Sequence, residues 1–304
     1  MVKELAKQAV MVSTGPLKKG TLVSHSRIYD PVRQEQKSSE VWTEICNGAK
    51  NRARQRSVRL KVLSPKNYHN LGEFLDLVEM AILKKPEFLI LPGTPLPGSK
   101  EQERLLCALN DYAGKIAFVN VPMDKEALKQ LGDKVVGYVG MNEYGAGQRA
   151  AKELIFSLQG RSIDGVVVLK HEEGHFGHWL RIQGIKQVVE HLGTPVKEVY
   201  VGTENQIPVS LNGGKFGVIT LGNRGTEAAL TLKPEQIAGL IGMDMNPKVA
   251  DAILDSRVRS TIIQHPRAQG ILAIDQVLEY TGKFQEYFCG PTVVTSDNVR
   301  VFRL

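Results

Sequence analysis

Two apolar runs of this sequence each end in a polar side chain that could bind a small molecule. Leu240-Ile-Gly-Met-Asp244 ends in a carboxylate, and Ser260-Thr-Ile-Ile-Gln264 ends in an amide. If both runs are buried strands joined by a helix, they are parallel and end at the same edge of a sheet. Open α/β sheets bind ligands at that edge. The two side chains therefore predict a site for a small polar molecule.

A second group of residues matches a metal-binding pattern. His171-Glu172-Glu173-Gly174-His175 has the spacing H-E-x-x-H, and His178 follows it. In zinc hydrolases this spacing works in the middle of a helix, where both imidazoles face the metal and the glutamate faces its bound water. Here His171 directly follows an apolar run, and Gly174 and Gly177 favour a loop. We therefore predict a polar loop at the ligand-binding edge, with histidines that could contact a ligand, and no metal site.

Other patterns of catalysis are missing from the sequence. It contains no G-x-S-x-G, no phosphate-binding P-loop and no G-x-G-x-x-G after a strand. We therefore assign no catalytic residue, no cofactor and no metal, and predict that the protein is not an enzyme.

The composition is that of a globular protein. The 304 residues are 42% hydrophobic and 23% charged, which is enough for two domains with separate cores. The net charge of +7 is spread along the chain, apart from a basic run at 50–59. We interpret this run as the basic end of a helix, favoured by the helix dipole, and expect no nucleic-acid partner.

The location of the protein is not encoded in these residues. The three cysteines are too few and too scattered for a disulfide framework or a zinc site. No apolar run reaches the length of a membrane span, and the first thirty residues lack the apolar stretch of a secretory signal. A processed chain that has lost such a signal and a cytoplasmic chain would both fit these observations.

Strand and helix patterns alternate along the chain, which is typical of parallel sheets connected by right-handed crossovers. The sequence predicts strands at 20–24, 58–63, 88–91, 116–120, 135–139, 165–169, 196–201, 216–220 and 237–241. It predicts helices at 40–56, 72–85, 101–113, 145–158, 179–191 and 247–255. So many strands exceed what one small sheet needs, and we therefore predict an α/β fold with two lobes.

The first twenty residues stand apart from this alternation. A helix-forming stretch reaches Val10, but Gly15-Pro16 falls where the recognition helix of a helix-turn-helix would run. We interpret residues 1–20 as an N-terminal extension.

Several short motifs occur in an order and spacing that together are specific. They are Asn47-Gly-Ala49, Val139-Gly-Met-Asn142, Gly147-Gln-Arg-Ala-Ala151, Arg181-Ile-Gln-Gly184, Gly242-Met-Asp244, Thr261-Ile-Ile-Gln264-His-Pro266, Gly270 and Val294-Thr-Ser-Asp-Asn298. From Thr21 to the C-terminus the chain resembles the type I periplasmic-binding-protein superfamily. That superfamily includes ribose- and galactose-type solute-binding proteins and the ligand-binding core of lactose-repressor-like regulators.

The resemblance implies two Rossmann-like lobes joined by three crossovers, with a sugar held in the cleft between them. It implies a first lobe of 21–140 plus 265–291 and a second lobe of 141–264 plus 292–304. In the second lobe, the positions that match the family's sugar contacts are Arg181, Asn223 and Asp244, with Gln264 at a crossover. A guanidinium suits this role because its planar fork can bind two oxygens.

Two of these assignments have structural alternatives. Asp244 could instead cap the helix that Pro247 helps to start. Arg181 could instead pair with a surface carboxylate such as Glu172 or Glu173.

The first-lobe contacts are harder to assign. Trp42 lies where the family stacks an aromatic ring on the sugar, although it could equally be a core residue. Polar residues after strands are expected at the cleft mouth, namely Ser26, Arg27, Asn67 and Asn120. Sugar binders commonly have an aspartate after the fourth strand, whereas Pro122 stands near that place here. Relatives that bind autoinducer-2 also carry an asparagine in this region, so Asn120 keeps such a ligand open.

Two further departures from the family pattern bear on the second lobe. Residues 202–214 are too short and too rich in helix breakers for the helix that relatives insert there. Arg224 follows Asn223 where relatives mostly carry an acid, and a cation there would favour an anionic or phosphorylated ligand.

The resemblance predicts a binding protein for a small sugar or sugar-like polyol that closes by hinge motion. It would serve uptake by an ABC transporter or chemoreception, as a periplasmic or extracytoplasmic monomer that a membrane permease or receptor recognises. Two alternatives are kept: the sensing core of a lactose-repressor-like regulator, which would be cytoplasmic, and a protein that binds autoinducer-2.

Overall fold

The computed structural model describes residues 18–26, 39–66, 70–171, 174–201 and 214–302. The strands in chain order are β1 (Lys19–Val23), β2 (Arg59–Leu63), β3 (Phe88–Leu91), β4 (Lys115–Asn120), β5 (Val135–Gly140), β6 (Gly165–Lys170), β7 (Val196–Tyr200), β8 (Phe216–Thr220), β9 (Ile237–Met243), β10 (Ser260–Ile263), β11 (Gln285–Phe288) and β12 (Thr292–Val294). The α-helices are α1 (Glu40–Gln55), α2 (Leu71–Leu83), α3 (Lys100–Asn110), α4 (Lys125–Leu131), α5 (Glu143–Leu158), α6 (Phe176–Glu190), α7 (Asn223–Ala229), α8 (Pro247–Leu254), α9 (Pro266–Leu278) and α10 (Val299–Phe302).

The described strands form two sheets with equivalent strand orders. The first sheet has the order β11-β5-β4-β3-β1-β2, and the second has the order β12-β10-β9-β8-β6-β7. Neighbouring strands are parallel except β10 and β12. Position by position, β1 corresponds to β6, β4 to β9 and β5 to β10. The predicted α/β fold with two parallel sheets flanked by helices is thereby confirmed.

Each sheet is covered by helices on both faces, so each carries two apolar clusters. We call the first sheet with α1–α4 and α9 the first lobe, and the second sheet with α5–α8 and α10 the second lobe. The chain passes between the lobes three times, after β5, after β10 and between β11 and β12. Both sheets turn the carboxyl ends of their parallel strands toward these crossovers, which places the ligand-binding edges of the two lobes opposite each other.

The predicted elements all occur, the strands within two residues and the helices within three residues of the expected ends. The sequence missed α4, α7, α10 and β12, which have seven residues or fewer and are too short to show a periodic pattern. It missed α9 as well, a helix of 13 residues whose buried face includes Gln269, Gly270 and Gln276 and so lacks a continuous apolar stripe. It also missed β11, whose four residues are all exposed and so lack the apolar alternation of a strand. β1 begins at Lys19, one residue before the predicted end of the N-terminal extension, and residues 1–17 lie outside the described part of the chain.

The basic run at 50–59 forms the last turns of α1, as predicted, and continues into β2. Two of its arginines also pair with carboxylates of α9. The Nε atom of Arg52 lies 2.8 Å from Asp275 Oδ1, and an Arg56 nitrogen lies 2.8 Å from Glu279 Oε1. These charges join two helices of the first lobe.

None of the helices in the described residues combines the length and the apolar character that a membrane span requires.

Four glycines let helices pack at backbone contact in both lobes. In the first lobe, a Cβ on Gly270 would lie 1.9 Å from a carbonyl oxygen of α1, and a Cβ on Gly48 would lie 2.1 Å from one of α9. In the second lobe, a Cβ on Gly147 or Gly184 would lie 2.0 or 2.1 Å from a carbonyl oxygen of the facing helix. All four glycines belong to the motifs that carried the family resemblance. Those motifs therefore mark the close crossing of two helices that occurs once in each lobe.

Gly270→Ala is expected to lower the free energy of unfolding by about 1–3 kcal/mol, because the added methyl group must push two helix backbones apart. Gly72→Ala is the matched control in α2, where the position is exposed and the nearest atom lies 3.4 Å away. There we expect a gain of up to about 1 kcal/mol from helix propensity. Urea denaturation of both variants measures the difference, and equal stabilities would contradict this account of the crossing.

Candidate functional site

A small cavity of about 70 Å³ lies between the two lobes, at the carboxyl ends of their strands. Its wall is mostly polar and comes from both lobes. The residues that line it are His25, Ser39, Glu40, Val41, Trp42, Asn120, His171, His175, His178, Arg181, Leu221, Gly222, Asn223, Arg224, Asp244 and Gln264.

Two residues at equivalent ends of the two sheets have left-handed backbones. Asn120 ends β4 with a φ of 68°, and Asp244 follows β9 with a φ of 62°. Residues other than glycine seldom adopt this conformation, although asparagine and aspartate tolerate it best. Such backbones concentrate at functional sites, where they aim a side chain that regular strand geometry would direct elsewhere. Here both aim amide or carboxylate groups at the interlobe cavity.

A chain of hydrogen bonds joins these two residues through the crossover after β10. Asn120 Nδ2 donates to Gln264 Oε1 at 2.7 Å, and Gln264 Nε2 donates to Asp244 Oδ1 at 2.7 Å. Gln264 is 3% exposed. A buried amide needs hydrogen-bond partners within the protein, and these two bonds supply them. The chain of bonds links a first-lobe asparagine to a second-lobe aspartate.

The capping alternative for Asp244 is wrong. The N-cap of α8 is Asn246, whose side chain accepts a hydrogen bond from the backbone N–H of Val249. The Asp244 carboxylate instead accepts a hydrogen bond from the Gln264 amide, and the backbone N–H of Asp244 donates to the carbonyl oxygen of Ile262 at 2.8 Å. The carboxylate is therefore held on the cavity wall by β10 and the crossover that follows it.

Arg181 lines the cavity, but its guanidinium is also part of a buried ion pair. Arg181 Nε lies 2.5 Å from Glu143 Oε2, and one terminal nitrogen donates to the carbonyl oxygen of Leu221 at 2.9 Å. The ion partner is thus Glu143 at the start of α5, and Glu172 and Glu173 lie outside the described residues. Complete burial raises the pKa of the Glu143 carboxyl, while Arg181 acts to lower it. Arg181 is held rigidly in place by this pair.

Asn223 and Glu40 meet across the cleft. Asn223 begins α7 in the second lobe, and its Nδ2 donates to Oε2 of Glu40, the first residue of α1, at 3.1 Å. Burial raises the pKa of the Glu40 carboxyl, and the carboxylates of Glu227 and Asp244 raise it further. Asn223 Oδ1 is buried and accepts no hydrogen bond from the described residues. A donor from a ligand would satisfy that oxygen.

The other residues predicted as first-lobe contacts do not all line the cavity. Trp42 is 3% exposed, packs in the apolar core beneath α1 and also lines the cavity, so the core alternative applies and stacking on a sugar stays a prediction. Ser26 is fully buried and is not among the lining residues, whereas His25 beside it is. Arg27 and Asn67 lie outside the described residues. No observation tests ligand contact for any predicted site residue, and those contacts stay predictions.

No sequence pattern predicts a role for His25, and the loop pattern predicts only a possible ligand contact for His171, His175 and His178. His171 directly follows β6, and His175 is the N-cap of α6, so the two do not share one helical turn as a zinc hydrolase requires. Among the described residues, no group of three or more His, Cys, Asp or Glu side chains could hold a metal ion. Helix α6 starts three residues earlier than predicted because His175 Nδ1 accepts the N–H of His178, a cap that the flanking glycines concealed.

Comparisons with known proteins agree with this architecture. A family model described as the periplasmic binding protein domain matches residues 34–284, and the chain therefore belongs to the type I periplasmic binding proteins. None of the curated proteins matches the chain in sequence.

Solved structures with the same fold have low sequence identity to this chain. A carbohydrate transporter from Acidothermus cellulolyticus in complex with myo-inositol is 20% identical, with a TM-score of 0.72 over 94% of this chain and 96% of its own. A solute-binding protein from Agrobacterium radiobacter in complex with D-arabinose is 16% identical, with a TM-score of 0.74 and the same coverage. A putative LacI transcriptional regulator from Bacteroides fragilis is 15% identical, with a TM-score of 0.72 over 94% of this chain and 99% of its own. At these identities the likeness establishes the fold alone.

Proposed function

We propose that this protein binds a small sugar or sugar-like polyol between its two lobes and closes around it. The observation that carries the proposal is the convergence of amides and carboxylates from both lobes on one small cavity, joined through Gln264. Such groups both donate and accept, as the hydroxyl groups of a polyol require. Trp42 at the wall would offer an apolar face to a sugar ring.

The charges around the cavity favour a neutral ligand. Arg181 and Arg224 line it together with Glu40 and Asp244, so the described lining residues carry two cations and two anions. Arg181 is further neutralised by Glu143. Arg224 is therefore not an isolated cation, and an uncharged polyol suits this wall better than the anionic or phosphorylated ligand that the sequence suggested.

Closure would follow from contacts that both lobes make with one ligand. We propose that residues 21–140 plus 265–291 and residues 141–264 plus 292–304 move as two bodies about the three crossovers. Asn120 and Trp42 would hold the ligand from the first body, and Arg181, Asn223 and Asp244 from the second. A ligand that touches both bodies binds the closed state better than the open state, and so shifts the population toward it.

The role we propose is that of a solute-binding protein, not an enzyme, that delivers its ligand to a membrane permease or receptor. The inositol-bound and arabinose-bound structures of the same fold support this class of ligand and this role. We accordingly propose a monomer in the periplasm or another extracytoplasmic space.

A calorimetric and thermal-shift panel tests the proposal, with D-arabinose, myo-inositol, glycerol, hexoses, sugar phosphates and autoinducer-2 as probes. A true ligand is expected to stabilise the protein by about 2.7 kcal/mol at roughly 100 times its Kd, by mass action. Neutral sugars or polyols should do so and sugar phosphates should not. Failure of every neutral sugar and polyol, with ligand-free protein of native fold, would sink the proposal, and a response to autoinducer-2 alone would support the second alternative.

A lactose-repressor-like sensing core is the other candidate, supported by the regulator from Bacteroides fragilis that shares the fold. Sedimentation equilibrium separates the two, because such a core is expected to dimerise whereas a solute-binding protein is expected to remain a monomer with and without ligand.

A further inference from the structure

A second cavity lies in the second lobe, at the end of its sheet that is opposite to the cleft. It has a volume of about 480 Å³ and is thus larger than the cavity of about 70 Å³ between the lobes. Its wall is formed by the start of β9, the loop before β10 and the last residues of α5 and α7. The described residues that line the two cavities are all different, so this is a separate site.

The floor of the second cavity is apolar. Its largest apolar side chains are Leu230, Leu232, Ile237 and Leu240, and all four belong to one apolar cluster of the second lobe. Leu240 is buried, whereas the other three are half-buried and still in contact with water. Covering such a concave apolar surface removes it from water, which favours binding. A ligand with an apolar body therefore suits this floor.

Three arginines also line this cavity. Arg161 follows α5, Arg257 lies between α8 and β10, and Arg259 directly precedes β10. None of the three forms an ion pair within the described part of the chain. Glu235 and Asp255 adjoin lining residues in the chain, but neither lines the cavity. We call this site the arginine cavity, because its described wall has three positive side chains and no negative one.

Backbone carbonyl groups hold two of these arginines in place. Arg161 donates from Nε to the carbonyl oxygen of Leu158 at 3.0 Å and from one terminal nitrogen to that of Ser157 at 2.9 Å. Arg257 donates from one terminal nitrogen to the carbonyl oxygen of Leu230 at 2.6 Å. These carbonyl groups end α5 and α7, where a positive charge is favourable. The bonds orient both guanidinium groups, and each group keeps further N–H donors for a ligand.

Arg259 has no such structural role. It precedes a strand, is exposed, and makes no side-chain hydrogen bond within the residues that the structure describes. Capping of helix ends therefore accounts for Arg161 and Arg257 but not for the third cation on the same wall. An anion would reduce the repulsion between these like charges. Guanidinium groups suit phosphate and carboxylate in particular, because their planar fork donates to two oxygens at once.

We propose that the arginine cavity is a second ligand site, which binds an organic anion with an apolar body. Arg161, Arg257 and Arg259 bind its phosphate or carboxylate group, and the leucine and isoleucine side chains of the floor bind the apolar body. The volume of the cavity is in the range of about 300–1,000 Å³ that is typical of small-molecule sites. The inference goes beyond the proposed function, which concerns the cleft at the other end of the sheet.

An NMR titration of the ligand-free protein with four probes tests this inference. Naphthyl phosphate and naphthoate have both an anionic group and an apolar body, naphthol lacks the charge, and inorganic phosphate lacks the apolar body. We expect at least one naphthyl anion to cause saturable shifts at the backbone amides of Gly239, Leu240 and Ser256. Naphthol and inorganic phosphate should bind at least about tenfold more weakly, since each lacks one half of the recognition. The anion that binds more tightly identifies the ligand class as phosphates or carboxylates.

Arg259→Gln is the decisive variant, because the arginine side chain supports no other described residue. It should raise the Kd of the naphthyl anion about 5- to 10-fold through the loss of a charged donor. Arg59→Gln is the matched control. It removes the same charge at an exposed position before a first-lobe strand pair, and its backbone N–H donates to Lys18 at 2.9 Å as that of Arg259 donates to Leu240. This control should leave the Kd unchanged.

Equal losses in Arg259→Gln and Arg59→Gln would overturn the inference, because they would mean general attraction to a positive protein. Equally tight binding of naphthol and the naphthyl anions would also overturn it, as would shifts confined to the amides of Asn120 and Asp244 in the cleft. So would the absence of a saturable shift with both anions at about 10 mM, where a Kd of about 1 mM is still detected. No outcome depends on a sugar, so failure of the sugar panel is a separate result.

Discussion

Arg181→Met is expected to lower the free energy of unfolding by about 3–5 kcal/mol, because it leaves the carboxylate of Glu143 buried without its counter-charge. The side chains of the pair are 5% and 1% exposed, Arg181 contacts Glu143 Oε2, and Glu143 Oε1 has no hydrogen-bond partner among the described residues. Arg181→Met combined with Glu143→Leu should recover most of the loss, since apolar groups of similar size need no partner. Urea denaturation of the single and double variants measures the coupling.

The matched control is an ion pair within α5, the helix that also carries Glu143. Glu153 of α5 pairs with Arg149 at 2.8 Å, and the arginine side chain is 52% exposed. Glu153→Gln should therefore cost less than about 1 kcal/mol. A similar loss for Glu153→Gln and Arg181→Met would show that burial does not set the strength of the Arg181 pair.

The loss caused by Arg181→Met should depend on pH with a definite sign. Burial raises the pKa of Glu143 above its ordinary value, and the variant lacks the guanidinium that opposes this rise. When folding raises the pKa of a carboxyl, the folded protein is most stable at pH values below the unfolded-state pKa, where the group is protonated. The free energy of unfolding then falls as the pH rises through the folded-state pKa. The variant should therefore be less impaired near pH 5 than near pH 8, and the reverse order would contradict this account of Glu143.

Asp244→Asn is expected to weaken binding of the sugar identified by the ligand panel by about 10- to 150-fold. The variant keeps the shape of the side chain and tolerates the left-handed backbone, but it replaces a charged acceptor, whose hydrogen bonds contribute about 1.5–3 kcal/mol each. Isothermal titration calorimetry measures the change in Kd. Asp255→Asn is the control, since this aspartate is exposed at the end of α8. Unchanged affinity in Asp244→Asn would remove Asp244 from the binding site.

The family and the fold could be predicted because their signals are local. Short apolar runs bounded by helix breakers defined the long elements, and the glycines at 48, 147, 184 and 270, which belong to the motifs that carried the family resemblance, lie where two helix backbones touch. Elements without such a signal were missed, for example α7, with seven residues, and β11, which is exposed along its length. Their places depend on the neighbours that they pack against.

The candidate site could be predicted in part, for the same reason. Asp244 and Gln264 were recognisable because each ends a buried run, and Asn120 because it ends β4. Whether Asp244 capped a helix was decided only by Asn246, which takes that role in the folded chain.

The class of fold, the edge of each sheet that faces the cleft and several of the polar groups at that edge could all be predicted from the residues alone. These follow from periodicity and strand ends, which depend on neighbouring residues. The partner of Arg181, the two environments of Trp42 and the contact of His25 with His175 became visible only in the folded chain. Those contacts join residues far apart in the chain, and their geometry is set by how the two sheets face each other across the crossovers.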